Sequence, residues 1–214
     1  MTKPPADPAE ARRARQNRRR ERSREEILAA ARVVLKRDGI ASVTLEAVAR
    51  EAGMSKTGLY YYFASKEALV FELVFGVWEH QGELVRDAVD EVETGPDALA
   101  AVIRNTIGNF APRMDDFRLA YLLGQVSGGL QVLPEHFERI RPLNNLLLSG
   151  ATSRLSEEER AGKVEPRLLA FLAFMSALGV LTMKGLVESL GDPLLYSDEQ
   201  LIEALSEVFR AAAI

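Results

Sequence analysis

The chain has 214 residues, 47% of them hydrophobic, enough for one domain or for a small domain fused to a larger one. Cysteine is absent, which excludes a disulfide framework, a thiolate metal site and a cysteine nucleophile, and suits a reducing cytoplasm. The formal net charge of −4 hides an asymmetry, 15 Lys and Arg against 8 Asp and Glu in residues 1–66 but 12 against 23 in residues 67–214. A basic N-terminal third on an acidic body is the balance of a DNA reader carrying a separate regulatory part.

Residues 1–22 are rich in Pro and Arg, and eight arginines fall between Arg12 and Arg24. With little to bury, this stretch reads as a basic, disordered arm in the free protein. On DNA it becomes an arm along phosphates or in the minor groove, and its other reading is an extension of the first helix. The basic start lacks an apolar segment behind it, so it is not a secretory signal. Ser23 and Glu26 form a capping box that predicts the start of a helix with Ile27, Leu28, Ala31, Val34 and Leu35 on its apolar face, ended by Gly39.

Leu45, Val48, Ala49 and Ala52 then recur at helical spacing. Gly53 sits where the backbone must turn left-handed, Met54 fills the turn, and Ser55 caps a second short helix from Lys56 to about Tyr62 with Leu59 and Phe63 inward. Two short helices joined by a tight glycine turn make a helix-turn-helix, whose second helix enters a DNA major groove.

Thr44, Val48-Ala49, Ala52-Gly53-Met54-Ser55, Gly58-Leu59-Tyr60, Tyr62-Phe63 and Ser65-Lys66-Glu67-Ala68-Leu69 together resemble the signature of the TetR family of transcriptional regulators. The resemblance covers Ser23 to about Leu73 without a gap; the rest is similar to that family in length and helical layout. It implies phosphate contacts from Thr44, Ser55, Tyr60, Tyr62 and Lys66, base-edge contacts from Lys56 and Thr57, and close approach at Gly58. Tyr61 is a weaker DNA candidate, because the family pattern is permissive there. Lys56 suits guanine O6 and N7, and the Thr57 methyl suits a thymine methyl. Plain capping by Ser55 and core packing by Tyr60 are the structural alternatives.

Ser65 caps a helix of roughly 26 residues, to about Val92, with Leu69, Val70, Leu73, Val74, Val77 and Trp78 in one stripe. Thr94-Gly95-Pro96-Asp97 opens the next helix, about 96–111. A short one follows from about Asp115 with Phe117, Tyr121, Leu122 and Val126 on one side, weakened at Ser127-Gly128-Gly129. Pro134 starts another, kinked or restarted at Pro142 and carried to Gly162 by Leu143, Leu146, Leu147, Ala151 and Leu155. Pro166 begins a helix to about Leu190 that is apolar nearly all round, and Ser197 with Gln200 makes a capping box for a last helix bearing Leu201, Ile202, Leu205, Val208 and Phe209. Leu168–Met183 is uncharged for 16 residues, short of the roughly 20 that a spanning helix needs, so it reads as a buried soluble helix and no membrane is expected.

The fold class expected is therefore all-α with about nine helices: a basic arm over 1–22, a three-helix helix-turn-helix domain over 23–68, and a helical ligand-binding and dimerisation domain over 69–214. One recognition helix reads only a few base pairs, so a homodimer is expected on a palindromic operator. The doubly apolar helix supports this, and Val180, Leu181, Leu201 and Leu205 are the candidate interface. Trp78, Phe110, Met114, Phe117, Tyr121, Phe137, Asn144, Phe174 and Met175 are candidate lining for a small, largely apolar effector. Only His80 and His136 are present, far apart and with no Cys, so neither a metal site nor a catalytic centre is expected and no cofactor is implied. The resemblance implies a cytoplasmic repressor released by its ligand. An all-α interaction protein, or a DNA-binding regulator without small-molecule input, is the alternative.

Overall fold

The computed structural model describes residues 8–122, 134–155, 164–191 and 196–213, all in helices, turns and short connections with no strand among them. The chain divides into two compact units, Met1–Leu73 and Val74–Ile214.

In the first unit, α1 runs over Pro8–Asp38, α2 over Leu45–Glu51 and α3 over Lys56–Tyr62, and α4 (Lys66–Asp90) begins there. The segment expected as a disordered arm is helical from Pro8, and Ser23 lies inside α1 instead of capping it. Two physical reasons favour the helix: Ala, Arg, Gln and Glu are strong helix formers, and Pro is well suited to a first turn. Arg22 also pairs with Glu26 one turn on, at 3.1 Å. Further along, Ile27, Ala31 and Val34 of α1 are fully buried together with Val43, Val48 and Leu59. This small core holds α1 against α2 and α2 against α3.

In the second unit, α4 continues to Asp90, α5 spans Gly95–Phe110, and α6 (Met114–Phe117) passes into a wider π turn over Arg118–Leu122. Then come α7 (Pro134–Ser153), α8 (Pro166–Leu190) and α9 (Asp198–Ala212). Pro142 stands inside α7, which continues through it. The expected breaks at Ser127-Gly128-Gly129 and Gly162 lie outside the described residues. The capping expectations are met locally: Ser65 Oγ accepts from the Ala68 amide at 3.1 Å and Thr94 Oγ1 from that of Asp97 at 3.2 Å. The reciprocal box of Ser197 and Gln200 is formed as well.

Helix α5 is the hub, packed against α7, α8 and α9. Leu99, Val102, Ile103, Ile107 and Phe110 are its buried face. Two polar side chains are fully buried with them: Gln81 Nε2 of α4 donates to Thr106 Oγ1 of α5 at 3.2 Å, and the Thr106 hydroxyl donates to the Val102 carbonyl at 2.7 Å. Asn109 Nδ2 donates to Gln81 Oε1, which closes the network.

Helix α8 was expected to have two apolar faces covered, by the chain's own core plus a partner or by a thick core, and the chain itself covers one of them. Leu169, Ala170, Ala173, Phe174, Ala177 and Leu181 are buried, whereas Leu168, Phe171, Leu172, Met175, Met183, Leu186 and Leu190 form an exposed apolar stripe. Among the described residues α8 is the one helix long and apolar enough to cross a membrane, with a mean hydropathy of 1.8. A helix with one face in a protein core and the other apolar and bare meets that description equally.

Candidate nucleic-acid interface and effector cavity

The helix-turn-helix is built by local hydrogen bonding. Thr44 caps α2, its Oγ1 accepting from the Ala47 amide at 3.1 Å. At the other end Gly53 takes φ 65°, the Gly53 amide donates to the Arg50 carbonyl at 3.2 Å and the Met54 amide to the Ala49 carbonyl at 2.9 Å. That pair of bonds is a Schellman ending, and it requires a left-handed residue at the position glycine occupies. Ser55 then caps α3, accepting from the Gly58 amide at 3.0 Å. A Cβ at Gly58 would lie 3.2 Å from Ser55 Oγ, so a side chain there would press on the cap.

This geometry sorts α3 into two sides. Leu59 and the following Phe63 face the core at 0% and 2% exposure, while Lys56, Thr57, Tyr60 and Tyr61 are exposed. Tyr60, for which core packing was the alternative, is 47% exposed. Thr44 and Ser55 are exposed as well as capping, so their hydroxyls stand at the surface, and Gly58, Tyr62 and Lys66 are half-buried. The Tyr61 and Tyr62 rings meet edge to face at 5.2 Å.

Two features escaped the sequence reading. Glu46 of α2 forms an ion pair with Lys56, which holds the carboxyl below its ordinary range and raises the Lys56 ammonium. Spacing hinted at no such pair, because the two residues lie on different helices. The second is a pair of stacked arginines from α1. The Arg24 guanidinium lies 4.7 Å from the Phe63 ring centre and binds Glu72 at 2.9 Å, and that of Arg20 lies 5.6 Å from the Tyr61 ring centre.

In the second unit, a cavity of about 160 Å³ is lined by Trp78 of α4, Tyr121 of the π turn, Ile140, Leu143, Asn144 and Leu147 of α7, and Phe174 of α8. Of the nine expected lining residues, Trp78, Tyr121, Asn144 and Phe174 border it. Phe110 and Phe117 stand behind Tyr121 instead, their ring centres each 5.6 Å from its own. Burial pushes the Tyr121 phenol well above its ordinary value, so it stays neutral. Phe137 and Met175 are exposed, and Met114 is half-buried with its methyl 2.9 Å from where a Cβ on Gly185 would stand. Leu143 and Leu147 were legible only as members of a helical stripe, and Ile140 was not singled out in the sequence at all. A larger depression of about 310 Å³ is lined by Glu91, Asp97, Arg104, Asn105 and Arg210 with small apolar residues of α4 and α5. Arg210 there already binds Asp97 and Glu207, so the smaller, mainly aromatic cavity is the better effector candidate. Of the proposed interface residues, Leu181 is fully buried in its own core, and Val180, Leu201 and Leu205 are half-buried.

Residues 27–73 match the family described as bacterial regulatory proteins, tetR family. No curated protein matches the chain. Among solved structures, a TetR/AcrR-family transcriptional regulator from Thermobifida fusca superposes with a TM-score of 0.65 at 17% identity, over 87% of this chain and 96% of that one. The fatty acid degradation regulator FadR from Bacillus halodurans does so with a TM-score of 0.67 at 16% identity, over 87% and 97% of the two chains. FadR from Bacillus subtilis, solved in complex with stearoyl-CoA, gives 0.63 at 20% identity over 89% and 97%. These likenesses establish the fold along the chain.

Proposed function

We propose that this chain, whose head is that of a tetR-family regulator, is a sequence-specific transcriptional repressor that leaves a palindromic operator when a small molecule binds its second unit. The exposed row Lys56, Thr57, Tyr60 and Tyr61 on a glycine-turned α3 carries the reading. It offers a cation, a hydroxyl with a methyl, and two phenols to a groove, backed by a fixed core. Thr44, Ser55, Tyr60, Tyr62 and Lys66 hold the phosphates around the base edges that Lys56 and Thr57 reach. The protein is cytoplasmic, carries out no catalytic step, and acts as a homodimer in which the exposed stripe of α8, with α9, meets its twofold copy.

The effector is small and largely apolar, held between Trp78, Tyr121, Leu143, Asn144 and Phe174. It acts through unequal affinity for two arrangements of the heads, with α4, which runs from one unit into the other, as the lever. The stearoyl-CoA seen in one protein of this fold is far larger than a cavity of about 160 Å³ admits, since sites for drug-sized ligands run from about 300 Å³. That modest volume also favours a second reading, a DNA-binding regulator with no small-molecule input.

The test is anisotropy of the full chain on DNA flanking its own gene, beside scrambled DNA, across a salt series. Tight binding to one palindromic segment supports the reading, and equal, purely salt-driven binding to both refutes it. Trp78 is the only tryptophan, so its fluorescence reports effector binding, and a screen of small apolar compounds that shifts Trp78 emission and releases DNA decides against the second reading.

A further inference from the structure

Helix α1 extends well beyond the core it helps to build. Its first buried side chain of any size is Ile27, so the turns from Pro8 to about Ser23 are not needed to close the head. They carry Arg12, Arg13, Arg15, Arg18, Arg19, Arg20 and Arg22 against Glu10 and Glu21, and residues 12–22 are exposed throughout. A chain that spends four turns of helix on arginines without burying them is holding charge in a fixed place.

The place follows from two contacts. Arg24 lies against Phe63 and Glu72, so its side of α1 faces the head. Arg20, one turn earlier on that side, lies over the ring of Tyr61, a residue 67% exposed on the outer side of α3. At about 100° per residue, Arg13 falls on the same side, about 10 Å further along the axis. Arg15 and Arg18 fall on the opposite side. Arg13 and Arg20 thus form a stripe that leaves the head next to the exposed face of α3.

We infer that the N-terminal half of α1 is a preformed helical arm whose Arg13 and Arg20 hold duplex DNA phosphates flanking the base pairs read by α3. This rests on the proposed DNA-binding function and adds a partner surface to it. Other partners fit poorly. A membrane-surface helix needs an apolar face, and a protein partner needs aromatic or aliphatic anchors; between its charges the arm offers only alanines, Gln16 and Asn17. Duplex DNA, with about one charge per 1.7 Å of axis, fits a row of arginines on an ordered rod. Being helical before binding, the arm contacts DNA without the ordering cost a disordered tail would carry.

The experiment is salt-dependent anisotropy of the full chain on three duplexes: the operator segment with flanks, the same segment trimmed of them, and scrambled DNA of the longer length. On the flanked duplex, R13Q/R20Q should lower the slope of log affinity against log salt by about 1.8 per head, at about 0.9 per phosphate. R15Q/R18Q should lower it by less than about 0.5, and R13K/R20K should keep the wild-type slope. Trimming the flanks should erase the difference between wild type and R13Q/R20Q. Selectivity over scrambled DNA should persist in R13Q/R20Q, because phosphate contacts carry no sequence information. Equal shifts from the two glutamine pairs, or no shift from R13Q/R20Q, would overturn the proposal. Loss of all preference in the wild type would refute the reading of α3 instead, and the slopes on scrambled DNA would still decide the arm. A wild type that binds no duplex overturns both.

Discussion

Replacing Thr106 by Val keeps the shape of a fully buried side chain and removes only its hydroxyl. The Thr106 hydroxyl accepts the Gln81 Nε2 hydrogen bond at 3.2 Å and donates to the Val102 carbonyl at 2.7 Å. That carbonyl is inside α5 and belongs to the helix ladder, so its loss of a second partner is minor. Gln81 is fully buried, so its amide would be left with an unpaired donor where water cannot replace Thr106, at about 1–3 kcal/mol. Taking about 2 kcal/mol, a chain of this length should lose about 4–8 °C in Tm. Gln81→Leu should cost less, because Asn109 is half-buried and water can take over its amide, while the Thr106 hydroxyl keeps its carbonyl. The double variant should therefore be more stable than Thr106→Val alone by at least about 1 kcal/mol. Urea and thermal unfolding followed by Trp78, which lies one turn from Gln81 in the same unit, measure all three. A Thr106→Val protein within about 0.5 kcal/mol of wild type, or a double variant equal to the sum of the singles, would refute the network.

Three further outcomes follow from the geometry. Gly53→Ala should destabilise the helix-turn-helix by about 1–2 kcal/mol, purely through its φ of 65°, since a Cβ there meets nothing within 4 Å; unchanged thermal unfolding and DNA affinity would disprove it. Glu46→Gln should tighten DNA binding roughly two- to fivefold, the worth of an exposed ion pair, because it frees Lys56 and removes a carboxylate from the DNA side; weaker binding would mean the pair positions Lys56 for reading. The Glu46 carboxyl is held low by Lys56, so the pair persists above the ordinary carboxylate range and opens as pH falls through the depressed value, and acid should mimic the Gln variant. Leu186→Glu, on the exposed stripe of α8, should give folded monomers in sedimentation, whereas Leu181→Glu should unfold the second unit; a persisting Leu186→Glu dimer would move the interface elsewhere.

The candidate interface was legible because each of its parts is dictated by neighbours in the chain. A left-handed turn asks for Gly53, a helix start asks for Thr44 or Ser55, and a spacing of four separates Leu59 and Phe63 from the residues between them. The ion pair of Glu46 with Lys56 and the stacking of Arg20 on Tyr61 were not legible, since each joins helices whose separation no local pattern contains. Composition even misdirected the reading of residues 8–22. Low apolar content signals disorder when burial is the only source of order, but helix propensity and the anchored remainder of α1 carry those turns without burial.

From α4 onward, helical periodicity located α4, α5, α7, α8 and α9, and their starts fell where Ser65, Thr94, Pro166 and Ser197 indicated. Sequence by itself determined that α8 is apolar on both sides. Only the tertiary structure decided which side its own core takes: Leu181 went inward, and Leu172 and Leu186 stayed out. The same holds for the cavity. Phe110 and Phe117 were as good candidates as Phe174, but they became the wall behind Tyr121, while Ile140 and Leu147 came to line it. A side chain's hydrophobicity fixes that it must be covered. What covers it depends on how three or four helices meet, and that is a property of the packed unit.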